Sequence, residues 1–516
     1  MSDLNPTNNQ PKAEETSALT DDKKTIDATA TTAGSEEKPT VAKSDEKLKQ
    51  LFEQLNLKQV LGDLGSANAK PEEKKDHKFW NTQPVPQKPE DVKKDGPLHP
   101  DLPLDKIKKE PYKLPEGMYW CTVDIENEAE MKELYTHLTN NYVEDVDSMF
   151  RFDYPSEFLD WALKPPGWKK EWNVGIRNSE TNKLVGFISG IPAIIKVRET
   201  TKKMVEINFL CVHKSLRANR LSPILIQEVT RRVNLHGIFQ AVYTAGVKLP
   251  TPVSTCRYYH RSINIKKLIK VGFTSVPMGM SSQQFEIRNR LPTKTTLDLR
   301  EMKSGDEPQI RKILNRYLKA TSDLLPEFQT DEEVAHWLMP KDKVVWTYVV
   351  EDPKRPNKIL DFVSFYLLPT TVLSSAGNNE LLHGSSKKGG KSKGSDLDGQ
   401  KIEAAYLFYY GTNPEPEVTL SDEDIEKCSG SAKKKKALVK EKQAAIVKER
   451  LTTLVRDALV KARDLQLDVF NCLNLSNNNM FIDELKFGKG DGLLNYYLYN
   501  WQARNIEPNK IGFIML

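Results

Sequence analysis

The chain has 516 residues, with 76 Lys and Arg against 71 Asp and Glu for a formal charge of +5, a near-balance that by itself implies neither a nucleic-acid nor a membrane partner. Five scattered cysteines (Cys121, Cys211, Cys256, Cys428 and Cys472) form no Cys-x-x-Cys pair, which argues against a disulfide scaffold or a zinc site. No signal peptide is evident and no run approaches the ~18 apolar residues of a membrane-spanning helix, so the expectation is a soluble, cytoplasmic protein with reduced thiols.

Residues 1–43 carry no Phe, Tyr or Trp and predict a disordered tail. Behind Ser44 as N-cap, Leu48, Leu51, Phe52 and Leu55 fall at i, i+3, i+4 and i+7, predicting a short amphipathic helix that with its linker reaches residue 70. From Pro84 to Pro115 the chain is Pro- and Lys-rich, an extended strap, and compact folding resumes near Met118. Strands are predicted at Leu184–Ile191 and Val205–Val212, then a helix from Pro223 to Asn234 with Ser222 as N-cap and Pro at the first position. The second half repeats the alternation: strands at Val344–Val350, Phe362–Leu367 and Ala404–Tyr410, a helix over Ala444–Ala462 and a strand at Leu467–Leu473. The class is mixed α/β. A Gly/Ser/Lys-rich stretch within 374–401 and the Lys433–Lys436 run within 428–440 read as mobile surface insertions. For these a solvated loop outweighs contact with an acidic partner such as ribosomal RNA.

The segment Glu206 to Pro223 is a strand leading through a basic turn into a capped helix. A turn that ends on a helix N-terminus offers N–H donors and a positive dipole end to a phosphate, and Lys214, Arg217 and Arg220 add charge. Acyl-CoA enzymes of the GNAT type use this geometry. Their usual Arg-x-x-Gly-x-Gly/Ala pattern is not met, because Arg220 occupies the glycine place, and on pattern alone an ordinary basic turn has equal standing. The chain closes on six residues, Ile511-Gly-Phe-Ile-Met-Leu516, after a Gly-rich aromatic block. A last strand this apolar enters a core and takes the α-carboxylate with it, either to the solvent rim or to a place where it acts as an acid or base.

The blocks His77–Val85, Asn141–Asp145, Glu206–Arg220, Tyr243–Val247, Thr255–Arg261, Asp468–Asn471 and Lys486–Asn500 together closely resemble the eukaryotic N-myristoyltransferases of the fungal type. They run in family order across about residues 75–516. Departures are Ala218-Asn219 where the family commonly has Ser-Lys, Ser222 where Ala or Thr is usual, and the two insertions. The resemblance implies two GNAT-like halves related by a pseudo-twofold axis within one compact unit, residues 71–285 holding the acyl-CoA and 286–516 most of the peptide. It implies transfer of a tetradecanoyl group to an N-terminal glycine, with myristoyl-CoA as co-substrate and no permanently bound cofactor. The partners it implies are proteins and peptides of the Gly-x-x-x-Ser/Thr type; ribosome association through the tail or the Lys-rich segments stays open.

Residue by residue, the resemblance implies a base in the terminal carboxylate of Leu516 and an oxyanion hole in the backbone N–H groups of Phe209 and Leu210. Myristoyl-CoA contacts are implied at His77, Lys78, Phe79, Trp80, Leu210, Cys211, Val212, Arg217, Ala218, Asn219, Arg220, Leu221 and Ser222. Peptide contacts are implied at Tyr142, Asp145, Asp147, Tyr243, Thr244, Asn471, Asp491 and Gly492. Cys211 is not expected to be a nucleophile, since direct transfer needs no acyl-enzyme. Gly488, Gly490 and Gly492 let the backbone approach a ligand closely, His213 and His260 read as hydrogen-bonded structural histidines, and no metal constellation appears.

Overall fold

A strand such as Leu184–Ile191, in which every residue is buried, needs cover on both faces of its sheet. The structure, a computed structural model, describes residues 77–144, 149–373, 399–428 and 431–516. The tail, the predicted helix near residue 48, Asp145, Asp147 and nearly all of the first insertion lie outside these residues. The first half of the chain supplies β1 (Met118–Thr122), β2 (Phe150–Phe152), β3 (Asn173–Asn178), β4 (Leu184–Val197), β5 (Thr200–Val212), β6 (Ala241–Ala245) and β7 (Ser254–Ser262). The second supplies β8 (Leu299–Glu301), β9 (Leu324–Pro326), β10 (Val345–Asp352), β11 (Arg355–Leu367), β12 (Thr370–Val372), β13 (Lys401–Ile402), β14 (Ala404–Gly411), β15 (Val469–Leu473) and β16 (Gly488–Tyr499). Four helices matter below: α1 (Glu128–Asn141), α2 (Leu221–Asn234), α3 (Glu307–Thr321) and α4 (Ala432–Asp464).

Thirteen strands form one sheet in the order β1-β3-β4-β5-β6-β16-β7-β15-β14-β11-β10-β8, with β9 pairing the far end of β4. Read outward from the β16–β7 junction, the two sides repeat each other. On each side an antiparallel set leads to a parallel pair, β5 with β6 and β14 with β15. Each parallel pair is joined by a helical crossover, α2 or α4, as parallel strands require. Each side then takes its last strand from the other: β7 follows β6 in sequence but pairs with β15, and β16 follows β15 but pairs with β6. This exchange is the pseudo-twofold relation of two GNAT-like halves, and it makes His77–Leu516 one compact unit. The expected division near residue 285 falls inside a short helix, Ser282–Arg288.

Leu221, Leu225, Val229 and Val233, four residues apart along α2, pack on Val174, Ile176, Val185 and Ile188. Burial of each such side chain contributes about 1.5–3 kcal/mol. α2 begins at Leu221 rather than Pro223, so Ser222 lies inside the first turn and Arg220 holds the N-cap position. α4 begins behind Ser431, whose side chain caps it, so the Lys433–Lys436 run is its first turn and not a loop. Lys and Ala are strong helix formers and extend the helix past the packed part, in which the buried residues begin at Val447.

The strap lies where the composition puts it. Asn500 donates its N–H to the Pro84 carbonyl (2.8 Å), Gly96 bridges to Gln502, and Arg198 pairs with Asp95 (2.7 Å). The chain end differs from the expected strand. Only Ile511 makes a bridge, to Leu324, and the rest is extended without a ladder. Four bonds pin it: Ser476 N–H to the Ile511 carbonyl (3.0 Å), Gly512 N–H to the Leu324 carbonyl (2.7 Å), the Tyr496 hydroxyl to the Phe513 carbonyl (2.9 Å) and Ile514 N–H to the Tyr409 hydroxyl (3.3 Å). Phe513 and Met515 are buried with Val242, Cys256 and Tyr496, while Ile514 and Leu516 are half-buried. Among the described residues, no helix is long and apolar enough to cross a membrane.

Candidate active site

β5 and β6 pair only from Val205 to Ile207 and from Ala241 to Tyr243, although both strands continue, so they part beyond Ile207. On its other side β5 bulges against β4: Ser189 pairs with Asn208 and Phe187 with Cys211, which leaves Phe209 and Leu210 without a register partner. Phe209 sits at φ +57°, a left-handed conformation rare for a bulky residue. The Ser189 hydroxyl braces the turn by donating to the Asn208 carbonyl (3.0 Å). A bulge of this kind turns N–H groups out of the ladder and toward whatever occupies the opening. In the structure the oxygen that the Phe209 N–H meets is the Tyr142 hydroxyl, which burial drives well above its ordinary pKa and this N–H pulls partly back.

After β5 the chain makes a 3-10 turn, Lys214–Asn219, capped by the His213 side chain, and enters α2 through Arg220 at φ +54°. Arg220 is therefore left-handed at the place where the usual pattern has glycine, which is the physical reason for glycine there. Lys214 pairs with Glu144, and Arg217 donates to the Asn141 carbonyl at the end of α1 (2.5 Å). These two cations hold the turn against α1, while Arg220 is exposed at the helix start. Burial pushes the Cys211 thiol up to about 12, so it is an inert wall.

Alternation along β6 separates two residues expected to act together. Tyr243 faces the strap, its ring stacked between Trp80 (5.5 Å) and Tyr497 (5.1 Å). Thr244, in register with Tyr496, takes the opposite face, the one the chain end covers. Glu206 and Asn208 stand on that face too, as does Val242, the partner of Glu206. The Asn208 amide donates to Glu206 Oε1 (2.7 Å), and Glu206 lines one cavity with Tyr409, Phe513, Ile514 and Leu516. Burial lifts the Glu206 carboxyl to about 7, against the pull of the Asn208 amide.

Next to the bulge lies a box of aromatic rings. Tyr154 packs edge-on to Phe209 (5.3 Å), Tyr142 lies 5.5 Å from Tyr154, and Tyr366 stacks on Tyr406 (5.3 Å). At its far side Asn471 Oδ1 lies 2.7 Å from His260 Nδ1, and burial keeps His260 below its ordinary pKa. Asp491 and Gly492 are exposed on β16 nearby. The glycines of β16 serve this packing: a Cβ on Gly490 would stand 2.4 Å from His260 Nε2, and one on Gly492 3.2 Å from the Tyr258 ring. At Gly490 that space is taken by its neighbour on β7.

The structure thus gathers Leu516, Thr244, Phe209 and Leu210 around the parted strands, and sets Tyr142 and Asn471 along the aromatic box. It moves Tyr243 to the strap, beside Trp80. Glu206, Asn208, Tyr154, Tyr366, Tyr406 and Tyr409 join the site without having been assigned to it. Glu206 and Asn208 did carry a signal, two polar residues at strand spacing inside an apolar strand.

Parted parallel strands, a bulge presenting backbone donors, and a basic turn into a helix start define a CoA-thioester acyltransferase. The family model of the myristoyl-CoA:protein N-myristoyltransferase N-terminal domain matches residues 97–256, and that of the C-terminal domain matches residues 270–384 and 395–514. The glycylpeptide N-tetradecanoyltransferase of Schizosaccharomyces pombe is 41% identical over 492 residues, covering 91% of this chain and 95% of that one. Glycylpeptide N-tetradecanoyltransferase 2 of Danio rerio is 44% identical over 440 residues, 85% of this chain and 77% of that one. The crystal structure of Saccharomyces cerevisiae N-myristoyltransferase with bound myristoyl-CoA matches with a TM-score of 0.73 at 40% identity, covering 86% of this chain and all (100%) of that one. The chain belongs to the N-myristoyltransferase family.

Proposed function

We propose that this acyltransferase moves a tetradecanoyl group from myristoyl-CoA to the α-amine of an N-terminal glycine by direct attack on the thioester. The observation that carries the reading is that the chain end lines one cavity with Glu206 of β5, three residues before the Phe209-Leu210 bulge and where β5 and β6 part. In this reading the β5 turn and strap (His77 to Trp80, Leu210 to Val212, Arg217 to Ser222) hold the acyl-CoA, and the aromatic box with Thr244, Asn471, Asp491 and Gly492 receives the peptide. The Leu516 α-carboxylate takes a proton from the glycine ammonium, and the neutral amine attacks the carbonyl carbon. The N–H groups of Phe209 and Leu210 donate to the developing oxyanion, a kind of support typically worth ~3–4 kcal/mol of barrier. The C–S bond breaks, and the amine's second departing proton ends on the CoA thiolate.

Incubation with myristoyl-CoA and a Gly-starting peptide bearing Ser or Thr at its fifth position tests this. One tetradecanoyl mass is expected on that peptide and none on its Ala-starting analogue. Equal labelling of both, or faster transfer from acetyl-CoA, would reject it.

Arg220→Gly separates strain from binding. Glycine at a left-handed position relieves about 1 kcal/mol of backbone strain, while losing the guanidinium should weaken CoA binding by about tenfold. Thermal unfolding is expected to shift upward as the calorimetric Kd for CoA rises; a fall in unfolding temperature would show that the arginine side chain itself holds the turn.

A further inference from the structure

The mechanism so far leaves Glu206 unused. It is a carboxyl group buried to 6% exposure in an enzyme where a glutamine would make the same bond to Asn208. Retaining an ionisable side chain there costs stability, which marks the group as functional. The groups that face it are few. Asn208 on β5 donates to it, the Tyr409 hydroxyl on β14 is close enough to be raised by its charge, and Leu516 and Glu327 line the same cavity. Glu333 is there too, its carboxylate taken up by the N–H groups of Gln329 and Thr330. No Lys, Arg or His is among the described residues that line the cavity, so nothing cationic lowers the proton affinity of the pair.

We infer that Glu206 is a positioning residue for the transfer step: its carboxyl group shares one cavity and one proton with the Leu516 α-carboxyl, and so restores the base to its ionised form. The inference rests on the reading of Leu516 as base. An α-carboxyl of ordinary pKa is a poor match for an amine near 8, about four units apart. Burial brings Glu206 to about 7, which leaves a gap of about one unit. The ammonium N–H bond breaks toward a Leu516 oxygen, the proton passes to a Glu206 oxygen, and it leaves to water after the amide has formed. Two carboxyl groups in one cavity with no cation among its described lining residues do not both ionise readily, so the pair is expected to titrate as a unit.

The test is the pH dependence of kcat at saturating myristoyl-CoA and Gly-starting peptide, between about pH 5 and 9, in the full chain and in E206Q. The wild type should show an acid limb near 7, rising as Glu206 ionises. In E206Q the limb should move to lower pH and the plateau fall about tenfold, with the Kd for myristoyl-CoA unchanged; Glu206→Asp should restore part of both. Misfolding does not confound the comparison. A carboxyl raised from 4.5 to about 7 on folding lowers stability as pH rises through that window, because the folded state binds the extra proton. Gln lacks that loss, and E206Q should unfold no earlier than wild type at about pH 8. An unchanged profile, or an equal loss of rate at every pH, would overturn the role of Glu206. If deletion of Leu516 leaves turnover intact, the base itself is wrong; if deletion abolishes turnover while the E206Q profile stays wild type, only Glu206 is.

Discussion

Deleting Leu516 from the full chain is expected to lower turnover of a Gly-starting peptide by about 10²–10⁴-fold, the range for losing a positioned general base, with myristoyl-CoA binding intact. The expectation depends on where the main chain ends, since removing one residue retracts the carboxylate by about 3.5 Å. Appending one glycine after Leu516 should do comparable harm for the opposite reason: the Leu516 side chain keeps its place against the core, but its carboxylate becomes an amide carbonyl. Leu516→Ala is the informative control. It removes packing from a half-buried side chain and leaves the carboxylate where it was, so turnover should stay within about threefold of wild type. Stopped-flow turnover and calorimetric Kd for myristoyl-CoA, measured on all three variants, decide the matter. Wild-type turnover in the extended chain would remove the carboxylate from the chemistry.

Much of this arrangement is written locally, and that part was readable. β4, β5, β10, β11 and β14 each hold a largely apolar stretch, α2 has a four-residue apolar repeat, and the basic turn sits between strand and helix. What could not be read locally depends on partners distant in sequence. The Gly-rich start of β16, Gly488–Gly492, offers little strand propensity, yet it pairs with β7, where His260 and Tyr258 lie against Gly490 and Gly492. The apolar chain end looked like a strand, but it makes a single bridge, Ile511 to Leu324, and four separate bonds hold it instead of a ladder. Tyr243 and Thr244 are adjacent in sequence and lie on opposite faces, which only the register with β16 reveals. Arg220 looked like a departure from a phosphate-binding pattern; its left-handed φ shows that the turn kept its shape and accepted the strain.

The chain end also explains the last prediction, Gly512→Ala. A Cβ at residue 512 would stand 2.5 Å from the Ser322 hydroxyl oxygen, 2.8 Å from Ser322 Cβ and 3.0 Å from Leu318 Cδ2 at the end of α3. Gly512 cannot slide away, since its N–H is bonded to the Leu324 carbonyl at 2.7 Å and its neighbour Ile511 accepts from Ser476 N–H at 3.0 Å. The strain must pass to residues 513–516, which carry the carboxylate. A displacement of about 1 Å at reacting groups costs roughly 10² in rate, and overpacking of this kind costs about 1–3 kcal/mol of stability. Gly512→Ala is therefore expected to lower kcat by roughly 10²-fold, with unfolding several degrees earlier and myristoyl-CoA binding unchanged. Adding Ser322→Gly removes the two closest contacts and should return most of the rate. Gly246→Ala, whose Cβ would meet only the Leu493 carbonyl oxygen at 3.9 Å, should be near neutral. If the double variant stays as slow as Gly512→Ala alone, the steric argument fails, and residue 512 acts through something other than where it places Leu516.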